Sequence, residues 1–362
     1  MRIGFDAKRI FQNATGLGNY SRSVVKNLAE KYPENEYVLF TPNARNVLPF
    51  PSKNENVKTV VGRGSVWRSF GIRRDIVRNK IDVYHGLSNE LPFSINKTDA
   101  KSVVTIHDLI FEHFPHHYPG VDRTLYDVKS KFAVNHADII VAASESTKRD
   151  IVDYYKVTPD KIHVVYQSCD DVFFDEHNAD LSNYHLPSEF MLYVGSVTER
   201  KNLLAVCKAY LLIPDAQKIP CVIIGNGKRY AEEVKTFIAE HHLQHWFIFL
   251  ENIPTLELPA FYRKASCFIY PSLYEGFGIP ILEAMVCNCP VITSGVSSLP
   301  EVGGDAAAYV NPESPEEIAQ QILNVLTNTE MRAAMINRGK ARLPIFDKFS
   351  LAEKMMALYQ LK

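Results

Sequence analysis

Between Phe268 and Pro290 the chain reads FIYPSLYEGFGIPILEAMVCNCP. The apolar run Phe268–Tyr270 gives way to Glu275-Gly276-Phe277-Gly278, and Pro280 then stands where a first helical position falls. The pattern predicts a strand, a glycine-bearing loop and a helix over Pro280–Met285. Glycines let a backbone approach a ligand closely, and a helix N-terminus favours phosphate. Glu283 falls within the first turn and a half, so its carboxylate can point back to the pocket that holds Glu275. Taken alone, this Glu pair reads as readily as a charge on the helix dipole plus a solvated loop carboxylate.

Outward from that stretch the strand-like pattern repeats. The first half carries short apolar runs at Arg2–Phe5, Tyr37–Phe40, Val57–Val61, Asp82–Tyr84, Val103–Ile106, Asp138–Val141 and Ile162–Tyr166. The second half carries Met191–Val194, Cys221–Ile224, Phe247–Leu250, Phe268–Tyr270, Val291–Thr293 and Ala307–Val310. Short runs rich in Val and Ile, separated by helical stretches, are expected to be parallel strands buried on both faces. Each half is therefore an α/β domain. Tyr20, Val24, Val25, Leu28 and Ala29 share one face of a helix expected to start near Asn19. Polar residues follow the apolar runs on their carboxyl side: Asp6, His107-Asp108, Ser144-Glu145, Gly195-Ser196, Asn252, Ser272 and Ser294. That edge is where ligands bind in open parallel sheets, and two such edges facing each other would make a cleft.

Length agrees with this division, since 362 residues is more than twice the common domain size of about 150. The expected layout is an N-terminal domain over 1–175, a linker over 176–189, a C-terminal domain over 190–345, and a last helix over 346–362 packing back on the first domain. Hydrophobic residues at 46% and charged residues at 22% exclude a largely disordered or membrane-embedded chain. Lys plus Arg number 40 against 41 Asp plus Glu, so no global field favours nucleic acid, and no nucleic-acid partner is expected. The 6 cysteines form no CxxC pair and mostly sit in apolar strings, which fits buried thiols in a reducing, cytoplasmic compartment. No run approaches the roughly 18 apolar residues a membrane span needs.

Other clusters carry chemistry. YVGSVTERKNL at Tyr193–Leu203 runs from a strand into Arg200-Lys201, with Asn202 opening a helix; two cations there suit a diphosphate, although a solvated basic turn fits the motif alone. Thr15-Gly16-Leu17-Gly18-Asn19-Tyr20 has the spacing of a partial phosphate loop but lacks the third glycine of a dinucleotide fingerprint. His107 can donate to a ligand oxygen or be capped by its neighbour Asp108. His113, His116 and His117 flank Pro115 in a loop without metal-ligand spacing, so no metal is expected. Gly62–Lys80 holds Arg63, Arg68, Arg73, Arg74, Arg78 and Lys80 against Asp75, interleaved with Val66, Trp67, Phe70, Ile72 and Val77. Such a segment reads as an amphipathic basic helix that contacts an anionic membrane, or as an ordinary surface helix on its sheet.

With these residues in view, the chain resembles the retaining family 4 glycosyltransferases of the GT-B fold over nearly its whole length. The most specific part is YPSLYEGFGIPILEAMVCNCPVITSGVSSLPEVGGD at Tyr270–Asp305, similar to that family's donor-site signature. GFDAKRI and TGLGNY near the N-terminus, with YVGSVTERKNL, resemble a branch rich in bacterial mannosyl- and rhamnosyltransferases of surface polysaccharides. The resemblance implies two Rossmann-like domains and a nucleotide sugar held mainly by the second. By motif position Arg200 and Lys201 bind the diphosphate, Glu283 the ribose hydroxyls, and Glu275 with the backbone of Gly276, Phe277 and Gly278 the sugar. Gly18 contacts the diphosphate from the first domain, His107 faces sugar and acceptor, and Asn252-Ile253 lies where the base is read by main chain. Many branches place Arg directly after the strand glycine, where this chain has Ser196.

The expected reaction is retaining transfer of a hexose, mannose favoured, from a nucleoside diphosphate sugar to a hydroxyl of a glycan or lipid-linked acceptor. No DxD triplet occurs, so neither a metal nor another cofactor is expected. A nucleotide-sugar epimerase, or a non-catalytic nucleotide-sugar-binding protein, would share the architecture. Oligomeric state is not legible in the sequence.

Overall fold

The computed structural model describes residues 1–42, 55–64, 66–175 and 179–361. It divides into two units, Met1–Ser168 with Phe346–Lys362, and Cys169–Ile345.

In the first unit the elements run β1 (Arg2–Asp6), α1 (Lys8–Gln12), α2 (Gly16–Lys31), β2 (Glu36–Thr41), β3 (Val57–Val61), α3 (Ile72–Arg78), β4 (Val83–Gly86), β5 (Lys101–Ile106), α4 (Ile110–His113), α5 (Gly120–His136), β6 (Ile139–Ala142), α6 (Glu145–Tyr155) and β7 (Ile162–Val164). The strands form one parallel 7-stranded sheet in the order β3-β2-β1-β4-β5-β6-β7. The second unit runs β8 (Met191–Val194), α7 (Leu203–Tyr210), β9 (Cys221–Ile224), α8 (Arg229–Glu240), β10 (Phe247–Leu250), α9 (Leu258–Lys264), β11 (Cys267–Tyr270), α10 (Ile279–Val286), β12 (Val291–Ser294), α11 (Leu299–Gly303), β13 (Ala307–Val310), α12 (Pro315–Thr327) and α13 (Thr329–Arg342). Its strands form a parallel 6-stranded sheet, β10-β9-β8-β11-β12-β13. The chain then returns to the first unit as α14 (Lys348–Gln360). Every apolar run singled out above is a strand, and both halves are Rossmann-like.

Alternate side chains of each central strand enter opposite cores because the strand repeat is two residues. On one face of the first sheet Ile3, Phe5, Val83 and Val103 pack with Val25 and Leu28 of α2 and Met355 and Tyr359 of α14. On the other, Val38, Tyr84, Val104 and Ile140 meet Ile76, Val134 and Ile151. Burying one such aliphatic or aromatic side chain contributes about 1.5–3 kcal/mol. The edge strand β3 departs from the expectation of burial on both faces. Lys58, Thr59 and Val61 are exposed, because an edge strand has only one neighbour, while Val57 and Val60 pack half-buried against the two opposite cores.

Three boundaries differ from the expected ones. The division falls at Ser168/Cys169 rather than after 175, because the turn at Asp171–Phe174 is anchored on α9: Phe173 packs edge-on to Tyr262 at 5.9 Å, and Arg263 donates to its carbonyl. The expected linker over 176–189 begins with residues outside the described set. Its remainder belongs to the second unit, where the Tyr184 ring meets Phe261 at 5.1 Å and its hydroxyl donates to Glu257. Helix α2 begins at Gly16, not near Asn19, with Asn13 Oδ1 accepting from the Thr15 N–H and hydroxyl just ahead of it.

The basic segment over 62–80 is not one amphipathic helix. A wide turn at Trp67–Gly71 leads into α3, and Ser65 lies outside the described residues. Arg68 turns inward, where its guanidinium pairs with Asp6 and, at 2.7 Å, with Glu90. Lys129 joins from α5 at 3.0 Å to the same Glu90 oxygen, so this cation braces the sheet edge instead of facing solvent.

Candidate functional site

In the second unit the carboxyl ends of β8 and β11 bring the two sequence clusters together. After β8 the chain passes Gly195 at φ +143°, a conformation that L side chains rarely adopt. A Cβ there would also stand 2.9 Å from Lys201 Nζ. A short turn at Glu199–Lys201 follows, and Asn202, left-handed at φ +59°, starts α7. The Asn202 amide donates to Pro271 O at 3.1 Å and Pro312 O at 2.8 Å, while Leu273 N–H donates to Arg200 O at 2.8 Å. The Arg200-Lys201 turn is thus laced to the loop after β11.

Glu275 is the centre of that lacing. Its Oε1 lies 2.6 Å from Arg200 Nη1 and 3.6 Å from Lys201 Nζ, and it accepts hydrogen bonds from Tyr270 Oη at 2.8 Å and Ser272 Oγ at 3.0 Å. All four contacts converge on one carboxylate oxygen, and none of them uses Oε2. Lys201 Nζ also donates to Tyr270 Oη at 2.6 Å and lies 4.6 Å from that ring's centre. Burial alone would raise the Glu275 pKa, but the charges of Lys201 and Arg200 and the Tyr270 hydroxyl bring it down to about 2, so the group is an anion. Burial lowers the Lys201 pKa, against the attraction of Glu275. The loop backbone is fixed as well. Ser297 Oγ accepts from Glu275 N–H at 3.0 Å, and Ser298 Oγ reaches the carbonyls of Glu275 and Phe277 at 2.8 Å each.

Gly278 caps α10 in the left-handed region, and Pro280 occupies its first turn. Glu283, on α10, accepts a hydrogen bond from Tyr262 Oη of α9 at 3.0 Å. Burial raises its carboxyl to about 7, with the Tyr262 bond opposing. The two glutamates of the motif therefore stand apart electrostatically: Glu275 is held ionised by cations, and Glu283 titrates near neutrality. Ile253 lies past the end of β10, an edge strand of this sheet separated from β11 by β9 and β8.

In the first unit His107 follows β5 and is 6% exposed. Its Nε2 lies 2.8 Å from Leu87 O, which can only accept, so Nε2 carries the hydrogen. Nδ1 faces the Gln167 amide nitrogen at 3.4 Å. Burial lowers the imidazole pKa to about 4, with nearby Arg9 lowering it further against the Leu87 bond, so the ring is neutral. The expectation that His107 donates to a ligand oxygen is corrected accordingly: its one ring hydrogen is committed to Leu87, and the remaining ring atom is an acceptor. Both ring nitrogens thus face groups other than Asp108, whose Oδ1 accepts from Ile110 N–H at 3.2 Å.

Gly18 sits inside α2, where its N–H is bonded to Thr15 O at 2.9 Å and approaches Asn13 Oδ1 at 3.2 Å. A Cβ would fall 1.9 Å from Asn13 O, so packing by itself demands glycine at this position. Of the histidines after His107, His113 pairs with Asp150 at 3.0 Å. Among the described residues no group of three or more His, Cys, Asp or Glu side chains converges in a way that could hold a metal ion.

Sequence reasoning missed Tyr270, Tyr262, Ser297 and Ser298, and placed Ser272 on the ligand-binding strand edge without pairing it with Glu275. Tyr270 and Tyr262 were hidden in apolar strings, where an aromatic reads as core. Ser272 carried a signal, being the first hydroxyl past β11 and three residues before Glu275.

Residues 181–342 match the family described as Glycosyl transferases group 1, and residues 15–172 match Glycosyltransferase Family 4. O-antigen chain mannosyltransferase B of Escherichia coli is 30% identical over 385 aligned positions, covering 100% of both chains. O-antigen chain mannosyltransferase RfbU of Salmonella typhimurium is 28% identical over 224, covering 61% of this chain and 60% of that protein. Among solved structures, sucrose-phosphate synthase from Thermosynechococcus elongatus superposes with a TM-score of 0.81 at 18% identity, covering 99% of this chain and 98% of that one. Anabaena HepE in complex with UDP-glucose does so with 0.76 at 15% identity over 100% of both. The fold is GT-B, and the chain belongs to the family 4 glycosyltransferases.

Proposed function

We propose that this glycosyltransferase moves a hexose, mannose favoured, from a nucleoside diphosphate sugar to a hydroxyl of a glycan or lipid-linked acceptor, with retention and without a metal, in cell-surface polysaccharide synthesis. The observation that carries the reading is the arrangement at Glu275. Arg200, Lys201, Tyr270 and Ser272 all approach Oε1, so the carboxylate is an oriented anion whose Oε2 can accept from sugar hydroxyls. The two cations beside it neutralise charge as the diphosphate leaves, the kind of preorganised electrostatic term that dominates many enzymes. Arg200 takes this role without an arginine at Ser196. No DxD triplet is present to bridge a diphosphate through a metal, and the cations fill that need.

Glu283, titrating near neutrality, holds the ribose hydroxyls once ionised. The backbone at Gly276, Phe277 and Gly278 completes the sugar pocket, and Gly18 and Ile253 serve the diphosphate and the base. His107 accepts a hydrogen bond at Nδ1 from sugar or acceptor in place of the Gln167 amide. Mannose is favoured because the chain is similar to O-antigen mannosyltransferases.

The segment over 62–80 is proposed to touch an anionic membrane peripherally, at the inner face. Val66, Phe70 and Val77 are 64%, 57% and 56% exposed beside the exposed Arg73, Arg74 and Arg78. A thermal-shift screen of GDP, UDP, TDP and ADP identifies the base, because a ligand that binds only the native state raises its stability. Product NMR with the matching sugar nucleotide and acceptor then tests retention. An altered free sugar nucleotide without acceptor would instead point to an epimerase.

A further inference from the structure

The first unit contains a line of buried polar groups that none of the assigned roles uses. Tyr359, on α14, places its hydroxyl 2.6 Å from His85 Nδ1 on β4. His85 Nε2 lies 2.8 Å from Thr105 Oγ1 on β5. Thr105 Oγ1 in turn lies 3.0 Å from Tyr20 Oη on α2. The Tyr20 ring meets the His107 ring edge-on, with centres 4.6 Å apart and planes at 88°. All five side chains are buried.

We propose that α14 is a positioning element for the acceptor-side histidine: Tyr359, through His85, Thr105 and Tyr20, fixes the placement of the His107 ring. The inference rests on the role given to His107 above. Hydrogen accounting supports it. If Tyr359 donates to His85 Nδ1, then Nε2–H donates to Thr105 and the Thr105 hydroxyl donates to Tyr20; in the reverse direction Tyr20 donates to Thr105, Thr105 to Nε2 and Nδ1–H to Tyr359, so each of the three links has one donor and one acceptor either way. Either way each link fixes the next, and removing one hydroxyl leaves a buried group unsatisfied in a low-dielectric core. Burial keeps both imidazoles neutral, so no charge disturbs the chain. Tyr20 then has two constraints, the Thr105 bond on its hydroxyl and the His107 ring against its edge. A shift at one is transmitted to the other, because packed interiors are not continuously deformable. Tyr359 touches no proposed reacting atom, so its effect passes through His107.

The test compares Tyr359→Phe and Thr105→Val with Met356→Leu, a buried α14 substitution outside the chain. Turnover with acceptor should fall between about twofold and thirtyfold in the two chain variants, the range of couplings carried by packed networks. Nucleotide affinity should change by less than about twofold, within the scatter of distant sites. The His107 ring signals in long-range 1H–15N spectra, assigned with His107→Asn, should shift in both variants and stay in place in Met356→Leu. Should Tyr359→Phe fail to fold, Tyr20→Phe breaks the same chain at its other end and retains the ring. Unmoved His107 signals in folded variants, or an equal loss in Met356→Leu, would overturn the proposal. The spectra decide it even if no nucleotide sugar is turned over, an outcome that would count against the proposed reaction and not against the chain.

Discussion

Arg200 Nη1 stands 2.6 Å from Glu275 Oε1, although the two residues come from loops 75 positions apart and each was legible only as part of its own motif. Neither charge is therefore a free-standing ligand contact. The cations keep the carboxylate ionised and the carboxylate holds the cations in place; in the proposed function that pairing would present the cations to a diphosphate and the carboxylate to a sugar.

Replacing Glu275 with Gln tests this coupling from the acidic side. The amide keeps the shape but leaves Arg200 and Lys201 without their counter-charge, and breaking a buried pair costs about 3–5 kcal/mol when one partner remains. We expect a lower melting temperature, loss of transfer, and nucleotide binding that persists because a diphosphate can replace the missing charge. Calorimetric titration with the nucleoside diphosphate reads the last point; loss of nucleotide affinity in step with activity would assign Glu275 a different role. The ion pair's contribution is present above the ordinary carboxylate range and is lost as pH falls through about 2.

Lys201→Ala removes the cation that also bonds Tyr270. By analogy with deleting one oxyanion-hole donor, kcat should drop by roughly 10²–10³. Wild-type turnover of the same donor in this variant would exclude a diphosphate role for Lys201.

Glu283 predicts a pH dependence near neutrality. Its folded pKa is raised to about 7, above the unfolded value, so the stability it contributes is fully present below the unfolded pKa and is lost as pH rises through about 7. Binding runs the other way. If the ribose hydroxyls need the carboxylate, nucleotide affinity should rise between pH 6 and 8 by about ninefold, as the ionised fraction grows from about one tenth to nine tenths. Glu283→Gln should flatten that profile, and isothermal titration across the pH series measures it.

The fold was legible almost completely, because short Val- and Ile-rich runs with polar carboxyl ends admit few structures other than buried parallel strands. Boundaries were less so. Composition placed a linker after Asp175, yet Phe173 and Tyr184 carry enough aromatic surface to bind that segment to α9. At the site, the loop glutamates and the Arg200-Lys201 pair could be named, but not their meeting on one oxygen, which depends on the β8–β11 pairing. Arg68 was misjudged for the same reason: a run of basic residues looks like a surface until the buried Asp6 at the end of β1 is known to face one of them.

That correction sharpens the membrane prediction. Arg68 is spent in the interior, so the basic residues of the segment left for a peripheral contact are the exposed Arg63, Arg73, Arg74, Arg78 and Lys80, three of them on α3 beside the exposed Val66, Phe70 and Val77. Each basic residue near an anionic leaflet contributes about 1 kcal/mol, so Arg73→Gln, Arg74→Gln and Arg78→Gln together should weaken binding to phosphatidylglycerol vesicles by roughly two orders of magnitude. Phe70→Ser should weaken it through lost apolar contact, without the salt dependence that marks the arginines. Nucleotide affinity should be untouched by either change, since these residues and the Glu275 cluster belong to different units. Co-sedimentation with anionic and zwitterionic vesicles separates the outcomes: wild-type protein that pellets equally with both, or with neither, removes the basis for an electrostatic attachment through this segment.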